Sequence, residues 1–365
     1  MTETNLWSYY NPVKIRFGPI EQALDIELGE KVLVITTAGF MSREGSRRLH
    51  GILANKKISL WDKVTPNPSI DDLDQAVIKL KGAKFDSLIA IGGGSAIDSG
   101  KVLATLLANQ ANPTLAAIFR DKVDVTFKEK LPLVAIPTTS GTGSEVTPFA
   151  TVWDHKFNNK YSLSGRYMYP STAIIDSTLT TTLDRINTLY PALDAISHAL
   201  ESIWNKNSTI ISQTLALKSL SLLNNGLPIA LTDPLNLSIR KDIQLAATLS
   251  GLAISQTKTA IAHAASYTLT SSLSVPHGLA CSILLDQFIE IFVEKNNDQY
   301  LVNALTQTKL LLRQLDLVNE FKKYNPSNDA ISQLCINVER LANSAIQLDE
   351  YEIKAMLYKL ISQNT

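Results

Sequence analysis

An aspartate and three histidines in the C-terminal half are the residues best suited to chemistry. Asp194 and His198 lie four residues apart in a segment with helical spacing of apolar residues, so we expect both side chains on one helix face. His263 follows in an alanine-rich run, and His277 stands in a Pro-His-Gly sequence. One carboxylate and three imidazoles suit Fe(II) or Zn(II), and also Mn or Co. A histidine taken alone is more simply interpreted as a buried, hydrogen-bonded core residue, so spacing alone leaves both interpretations open.

Cysteine usage is sparse. The 365-residue chain has only Cys281 and Cys335, which excludes a disulfide scaffold and favours a reducing compartment. We expect no thiolate among the metal ligands, which removes the usual structural zinc patterns.

A glycine-rich loop spans residues 91–101, with the sequence Ile-Gly-Gly-Gly-Ser-Ala-Ile-Asp-Ser-Gly-Lys. The pattern predicts a strand that leads into three glycines and a helix capped by Ser95, with Asp98 completing a Ser-x-x-Asp capping pattern. Glycines let the backbone approach a ligand, and a helix start presents unpaired N–H groups to an anion, which indicates a pyrophosphate site. Neither GxGxxG nor a P-loop is present, and an ordinary strand-to-helix turn is the alternative.

A second polar loop occupies residues 137–147, after another predicted strand. Its hydroxyls and glycine amides could bind more of the same nucleotide. Considered without the first loop, this segment is more simply interpreted as a solvated Ser/Thr-rich loop. Two such loops at the ends of two strands of one sheet favour the nucleotide interpretation.

The predicted secondary structure differs between the N-terminal and C-terminal halves of the chain. Short apolar runs predict buried strands, and they alternate with helical segments at 69–80 and 96–108, which favours a parallel sheet with helices on both faces. The predicted strands are 32–36, 58–61, 87–91, 133–136 and 173–175. After about residue 180 only helical segments follow, separated by prolines such as Pro228, namely 190–204, 210–224, 238–256 and 300–322. We therefore predict an α/β domain over 1–180 and an all-α domain over 181–365, with a ligand cleft between them.

Charge and hydropathy exclude several classes of function. Thirty-four basic and 34 acidic residues give a formal net charge of zero, which argues against nucleic acid and membrane surfaces as partners. No apolar run approaches a membrane span, and the first ten residues lack the apolar core of a signal peptide. The expected location is the cytoplasm.

Taken together, these motifs resemble the iron-containing (group III) alcohol dehydrogenase family. Its Gly-Gly-Gly-Ser loop, Pro-Thr-Thr-Ser-Gly-Thr-Gly-Ser-Glu loop, Asp-x-x-x-His helix and late Pro-His-Gly all occur here in order, and residues 11–18 and 66–68 resemble its first strand and a later turn. The resemblance covers nearly the entire chain. It implies a Rossmann-like nicotinamide-binding domain and a helical metal-binding domain, the fold shared with dehydroquinate synthase. It also implies Fe²⁺ (or Zn²⁺) and NAD(P)H as cofactors, a small aldehyde or alcohol as substrate, and a homodimer.

The resemblance assigns residues one by one. The metal ligands would be Asp194, His198, His263 and His277. The cofactor-binding positions would be Thr37, Asn67, Gly93, Gly94, Ser95, Asp98, Thr138, Thr139, Thr142 and Lys160.

Three departures from the family pattern matter. Thr37 stands where many members carry an aspartate that binds the adenosine ribose, so a carboxylate that repels a 2′-phosphate is missing and NADPH becomes acceptable. Tyr267 stands where many members place a further histidine near the nicotinamide, and either Tyr267, our candidate residue, or water could replace that histidine in a proton relay. Ala192 replaces a common glycine, a change that we expect to be tolerated.

The segments 198–205 and 263–270 resemble most the phosphonoacetaldehyde reductase (hydroxyethylphosphonate dehydrogenase) branch. A phosphonate needs cationic partners, for which Lys258 and Arg166 are the candidates; both could equally be solvated surface cations. The alternative is a broad-specificity iron-containing alcohol dehydrogenase, and an alternative of another class is a non-catalytic nucleotide-binding module.

Overall fold

The computed structural model describes residues 6–24, 28–42, 46–109, 113–157 and 159–362. The chain divides into two compact units. The α/β unit comprises Asn11–Thr139 and Gly143–Thr181, and the helical unit comprises Met1–Tyr10, Ser140–Thr142 and Thr182–Thr365. The short segment Ser140–Thr142 thus belongs to the helical unit, although the chain on either side of it belongs to the α/β unit.

The α/β unit is built on a parallel six-stranded sheet with the strand order β1-β8-β5-β4-β2-β3. Its strands are β1 (Lys14–Phe17), β2 (Lys31–Ile35), β3 (Lys57–Trp61), β4 (Ser87–Gly92), β5 (Leu133–Pro137) and β8 (Thr172–Ile175). All five strands predicted from apolar runs are present, and the residues resembling the family's first strand include β1. The predicted fold class is therefore confirmed.

The continuous apolar runs are explained by burial on both faces of this sheet. Leu33 and Leu88 pack in one hydrophobic cluster, whereas their neighbours Val34 and Ile89 pack in another. Successive side chains of a strand point to opposite faces, so a strand covered on both sides needs apolar residues throughout.

Helices connect these strands. They are α1 (Ile20–Ala23), α2 (Ala38–Phe40), α3 (Ser46–Ile52), α4 (Ile70–Leu80), α5 (Gly94–Ala108) and α6 (Leu115–Phe119). Three 3₁₀ turns lie at Ser144–Val146, Arg166–Met168 and Ser177–Thr180.

An antiparallel hairpin in this unit is absent from the sequence-based prediction. It consists of β6 (Phe149–Asp154) and β7 (Asn159–Ser164). Trp153 donates its backbone N–H to Pro68 (2.8 Å), and Lys101 of α5 donates to the carbonyl of Phe149 (2.6 Å). These bonds attach the hairpin to the chain around the predicted nucleotide loop.

The helical unit has no strand among its described residues. Its helices are α7 (Arg185–Ile203), α8 (Ile210–Thr232), α9 (Leu237–Thr257), α10 (Ile261–Leu273), α11 (His277–Ser282), α12 (Leu285–Glu294), α13 (Gln299–Gln314), α14 (Leu317–Lys322), α15 (Asn328–Ser332), α16 (Val338–Leu341) and α17 (Glu350–Ser362). Within the described ranges, no helix is both long and apolar enough to cross a membrane.

Helix α7 is the centre of this unit. Nearly every side chain from Thr188 to Ile203 is buried, which is the pattern of a helix surrounded by others. Two sequence-based expectations fail nearby in the unit. Pro228 lies inside α8 instead of separating two helices. The predicted segment 300–322 is broken into α13 and α14 by Asp316, whose φ of 51° is left-handed.

Candidate metal centre and nucleotide loops

Helix α7 carries the first two predicted ligands. Asp194 and His198 are 3% and 7% exposed, and Asp194 Oδ1 lies 3.7 Å from His198 Nε2. Pro191 interrupts the backbone bonding of α7 one turn before Asp194, because proline has no N–H to donate to a preceding carbonyl. The four-residue spacing thus brings both donors together on one face, as predicted.

His277, the last of the four predicted ligands, is positioned by the glycine that follows it. A Cβ atom on Gly278 would lie 1.8 Å from the carbonyl oxygen of Tyr190 in α7. Only a residue without a side chain lets the start of α11 approach the backbone of α7 this closely. The Pro-His-Gly sequence therefore places His277 Nε2 at 3.7 Å from Asp194 Oδ1.

The four predicted ligands converge, since His263 Nε2 of α10 lies 3.4 Å from the same Asp194 oxygen. The rings of His198 and His263 stack with centroids 4.9 Å apart, and those of His263 and His277 meet edge to face at 5.2 Å. Asp194 Oδ1 and His263 Nε2 are buried without a hydrogen-bond partner. Buried polar atoms are normally satisfied, so such a pair fits a cation that both would bind.

The charges in the cluster also fit a cation. Burial alone raises the pKa of the Asp194 carboxyl, but His198, His277 and His263 outweigh it and hold that pKa well below its usual range. Burial lowers the pKa of His263, yet the neighbouring Cys281 and Glu201 raise it well above its usual value. The surroundings of His263 therefore stabilise positive charge. The side chain of His277 is 35% exposed, so the cluster is open to solvent on that side.

Glu201 is a further candidate site residue, which the sequence motifs did not indicate. Its fully buried carboxylate accepts the backbone N–H of His263 (3.1 Å) and lies 2.7 Å from His263 Nδ1. A proton on Nδ1, held by Glu201, leaves the lone pair of Nε2 directed at Asp194 and available to a metal. The signal was present, because Asp194, His198 and Glu201 follow an i, i+4, i+7 pattern on α7.

No thiolate was expected among the ligands, yet the structure places the sulfur of Cys281 beside the predicted site. Cys281 Sγ lies 3.7 Å from both ring nitrogens of His277. Four possible ligand atoms lie within 4.8 Å of one another, one each from Asp194, His263, His277 and Cys281. Cys281 follows His277 by four residues on α11, so the helical spacing that identified Asp194 and His198 also identifies this pair.

The predicted glycine loop joins β4 to α5. Gly92 has a φ of 153°, and a Cβ there would lie 2.7 Å from Ala96 Cβ, so this position requires glycine. The N-cap of α5 is Gly93, without a side-chain cap, and the predicted Ser95–Asp98 capping pattern is therefore wrong. The helix begins at Gly94, two residues before the predicted start at 96, which leaves the N–H groups of its first turn free of a capping side chain.

The second loop meets the first at its start. Thr138 donates its backbone N–H to Gly92 (2.9 Å), and a Cβ on Gly93 would lie 3.4 Å from Thr139 Oγ1. Asn67, whose φ is 59°, donates its backbone N–H to Ser95 Oγ (3.3 Å). These predicted cofactor residues therefore lie close to Gly93 and Gly94, beside the carboxyl ends of β4 and β5.

The other predicted cofactor residues are distributed more widely. Thr37 follows β2 and caps α2 by accepting the N–H of Phe40 (3.1 Å). Lys160 lies in β7 with its ammonium 5.6 Å from the centre of the Trp153 ring. Thr142 belongs to the helical unit, whereas the remainder belong to the α/β unit.

Asp98 has a structural role in the described contacts. Its carboxylate accepts from the Ser144 hydroxyl (2.5 Å) and the Thr151 N–H (2.9 Å), and pairs with Lys101 at 3.6 Å. Burial lowers the pKa of Lys101 to about 8. These bonds join α5 to the hairpin and fix the helix whose first turn carries the glycine loop.

The three remaining predicted residues lie as follows. Tyr267 is half-buried on α10, one turn after His263. Lys258 is exposed at the C-terminus of α9, in the helical unit. Arg166 is exposed in the α/β unit, and its guanidinium lies 4.7 Å from the centre of the Tyr167 ring. Their roles remain predictions.

Comparison with known proteins adds two family matches. Residues 12–177 match the iron-containing alcohol dehydrogenase model. Residues 188–361 match the model of the Fe-containing alcohol dehydrogenase family, C-terminal. The two matches follow one another and leave few residues uncovered.

Individual relatives agree with these matches. The probable alcohol dehydrogenase EutG of Escherichia coli is 34% identical, over 64% of this chain and 58% of its own length, so the matched region spans less than two thirds of that protein. The sulfoacetaldehyde reductase of Bilophila wadsworthia is 30% identical, over 76% of this chain and 71% of its own. The crystal structure of sulfoacetaldehyde reductase from Bifidobacterium kashiwanohense in complex with NAD⁺ is 27% identical. It superposes with a TM-score of 0.85, over 98% of this chain and 100% of that one. By these matches, and as its motifs indicated, the chain belongs to the iron-containing alcohol dehydrogenase family.

Proposed function

We propose that this protein is a metal-dependent oxidoreductase that interconverts a small aldehyde and its primary alcohol with NAD(P)H. The observation that carries the proposal is the convergence of three histidines on Asp194, with distances of 3.4–3.7 Å to its Oδ1 atom. Asp194 Oδ1 and His263 Nε2, both buried in this cluster, lack hydrogen-bond partners, as expected of a ligand set prepared for a cation.

The bound groups would supply the central chemistry: a divalent cation acts as a Lewis acid toward the substrate oxygen, and reduced nicotinamide provides the hydride. The chain's own residues prepare this chemistry. Asp194, His198, His263 and His277 would hold the cation. Glu201 fixes the ring of His263, so that Nε2 faces Asp194. The exposed side of His277 leaves room for a substrate.

Nucleotide binding is proposed for the loops of the α/β unit. Gly92 and Gly93 let the backbone approach a pyrophosphate, and the uncapped first turn of α5 offers N–H groups to it. Thr37 supplies a hydroxyl in place of a carboxylate beside the adenosine ribose, and we propose that both NADH and NADPH are accepted.

The proposed proton donor is Tyr267. It lies one turn after His263 on the same side of α10 and is half-buried. Its hydroxyl would transfer a proton to the oxygen of the product alcohol, the role that a histidine has in many family members.

The substrate proposed first is an anionic two-carbon aldehyde, phosphonoacetaldehyde, reduced to 2-hydroxyethylphosphonate. The similarity to two sulfoacetaldehyde reductases supports this class, since their named substrate is also a two-carbon aldehyde with an anionic head group. The similarity to a probable alcohol dehydrogenase supports the second candidate, a broad-specificity enzyme for uncharged aldehydes.

A substrate panel separates these candidates. Metal-reconstituted protein is assayed with phosphonoacetaldehyde, sulfoacetaldehyde and propanal, with NADH and NADPH in turn, by the absorbance of the reduced nicotinamide. We expect the highest kcat/KM for phosphonoacetaldehyde. A preference for propanal assigns the broad-specificity activity instead. Nucleotide binding without turnover of any aldehyde or alcohol contradicts both and indicates a non-catalytic module.

A further inference from the structure

Cys281 is a buried cysteine that the proposed mechanism does not use. It is 1% exposed, in contrast to the exposed Cys335. A buried cysteine usually packs as a small apolar residue. Here the sulfur instead faces polar atoms, at 3.7 Å from both ring nitrogens of His277.

The separations match those of ligands around one cation. In a five-coordinate site with bonds of about 2.1 Å to nitrogen and about 2.3 Å to sulfur, neighbouring nitrogen and sulfur donors lie about 3.1–3.8 Å apart. Cys281 Sγ and His277 Nε2 lie 3.7 Å apart. Neighbouring oxygen and nitrogen donors in such a site lie about 3.0–3.6 Å apart, and Asp194 Oδ1 and His263 Nε2 lie 3.4 Å apart.

Independent evidence for a ligand comes from the atoms next to the sulfur. Asp194 Oδ1 and His263 Nε2 have no hydrogen-bond partner, and both residues are at least nine-tenths buried. Both belong to the group of mutually close donors that includes Cys281 Sγ. The sulfur therefore borders the place where two unsatisfied atoms indicate a cation.

We propose that Cys281 is a fifth protein ligand of the metal, bound through its thiolate. The inference rests on the metal centre of the proposed function and deepens it. On binding, the sulfur–hydrogen bond is replaced by a sulfur–metal bond, and the proton leaves to solvent. Because thiolate is a soft ligand, Cys281 shifts the preference of the site toward Zn(II) and Co(II) and away from Mn(II).

Cobalt substitution tests this proposal. Protein stripped of metal with a chelator is loaded with one equivalent of Co²⁺, desalted and analysed for metal content and absorbance. We expect a thiolate-to-cobalt charge-transfer band in the wild type and in the matched control Cys335→Ser, and its loss in Cys281→Ser. The four other ligands keep cobalt bound in Cys281→Ser.

The outcomes distinguish this proposal from the proposed function. Cobalt bound by the wild type without a charge-transfer band, or a band that persists in Cys281→Ser, overturns the role of Cys281 and leaves the metal centre intact. Failure of the wild type to bind cobalt overturns the metal centre itself.

Two further measurements refine the test. In competition with a chromophoric chelator, Cys281→Ser should lose about tenfold or more in Zn²⁺ affinity relative to Cys335→Ser, and less in Mn²⁺ affinity. X-ray absorption of zinc-loaded Cys335→Ser protein needs no change at Cys281, so it applies even where Cys281→Ser fails to fold. A sulfur neighbour at about 2.3 Å is expected, and a shell of nitrogen and oxygen alone contradicts the proposal.

Discussion

The metal centre and the nucleotide loops both depend on glycine, but they use it differently. At the metal centre, Gly278 lets two helix backbones meet so that buried side chains converge on Asp194. At the nucleotide loop, Gly92 and Gly93 leave backbone N–H groups accessible at the start of α5, and the nearby side chains mostly bond to one another. The chemistry of the first region lies in side chains, and that of the second lies in the backbone.

This difference predicts how substitutions act. In the helical unit, loss of the carboxylate that all three histidines share should abolish metal binding without a change in shape. In the α/β unit, an added methyl group at the glycine loop should weaken nucleotide binding more than the loss of a polar side-chain atom.

Asp194→Asn should have the largest effect, because it keeps the shape of the residue and removes the anion common to all three histidines. We expect loss of bound metal and a fall in kcat/KM of about 10³-fold or more, the equivalent of about 4 kcal/mol. The dissociation constant of NAD(P)H should change little. Asp233→Asn, an exposed change in the same unit, is the control, and metal retention by Asp194→Asn would remove this residue from the ligand set.

Gly278→Ala should destabilise the helical unit, since its Cβ would lie 1.8 Å from a backbone oxygen that cannot move freely. We expect a loss of about 1–3 kcal/mol in the free energy of unfolding, together with weaker metal binding. Gly51→Ala is the matched control, because a Cβ there has no atom within 4 Å. Equal melting temperatures for the two variants would contradict the close approach of α11 and α7.

Gly93→Ala should affect the nucleotide loop and leave the metal centre unchanged. Its Cβ would contact Thr139 Oγ1 at an ordinary 3.4 Å, so the protein should fold and bind metal normally. A methyl group against the pyrophosphate should raise the dissociation constant of NAD(P)H by about tenfold, or 1.4 kcal/mol. Fluorescence titration measures it, and an unchanged dissociation constant would place the pyrophosphate elsewhere.

Thr37→Asp should have the smallest effect, one confined to cofactor choice. Aspartate also caps helices well, so α2 should be preserved, but its charge would repel a 2′-phosphate. We expect kcat/KM with NADPH to fall about tenfold relative to NADH. Thr37→Ser, which keeps the hydroxyl cap, should leave the ratio unchanged, and an equal ratio in Thr37→Asp would show that the adenosine ribose does not lie beside this residue.

Regular spacing explains what could be predicted from the sequence. The apolar runs predict the parallel strands because those strands are buried on both faces, and the four-residue spacing predicts the shared face of Asp194 and His198. Cys281 and Glu201 also lie at helical spacings from predicted ligands, so the same periodicity indicates that both approach the site.

Other features depend on tertiary contacts that no local pattern reveals. The β6–β7 hairpin is stabilised by bonds to Pro68 and Lys101, which are distant in sequence. Apolar periodicity continues across Asp316, so the break between α13 and α14 leaves no signal in the spacing. Serine is a common N-cap residue, but the hydroxyl of Ser95 accepts a hydrogen bond from the backbone N–H of Asn67 instead of capping α5.

A metal titration of activity tests whether the cluster around Asp194 is the reaction centre. Protein stripped by a chelator is supplied with increasing Fe²⁺ or Zn²⁺, while aldehyde reduction and NAD(P)H binding are measured on the same samples. We predict no turnover without metal, activity that rises until one equivalent per chain is bound, and NAD(P)H binding that is present throughout. Full activity in the stripped protein would contradict the proposal that the cluster around Asp194 is the reaction centre.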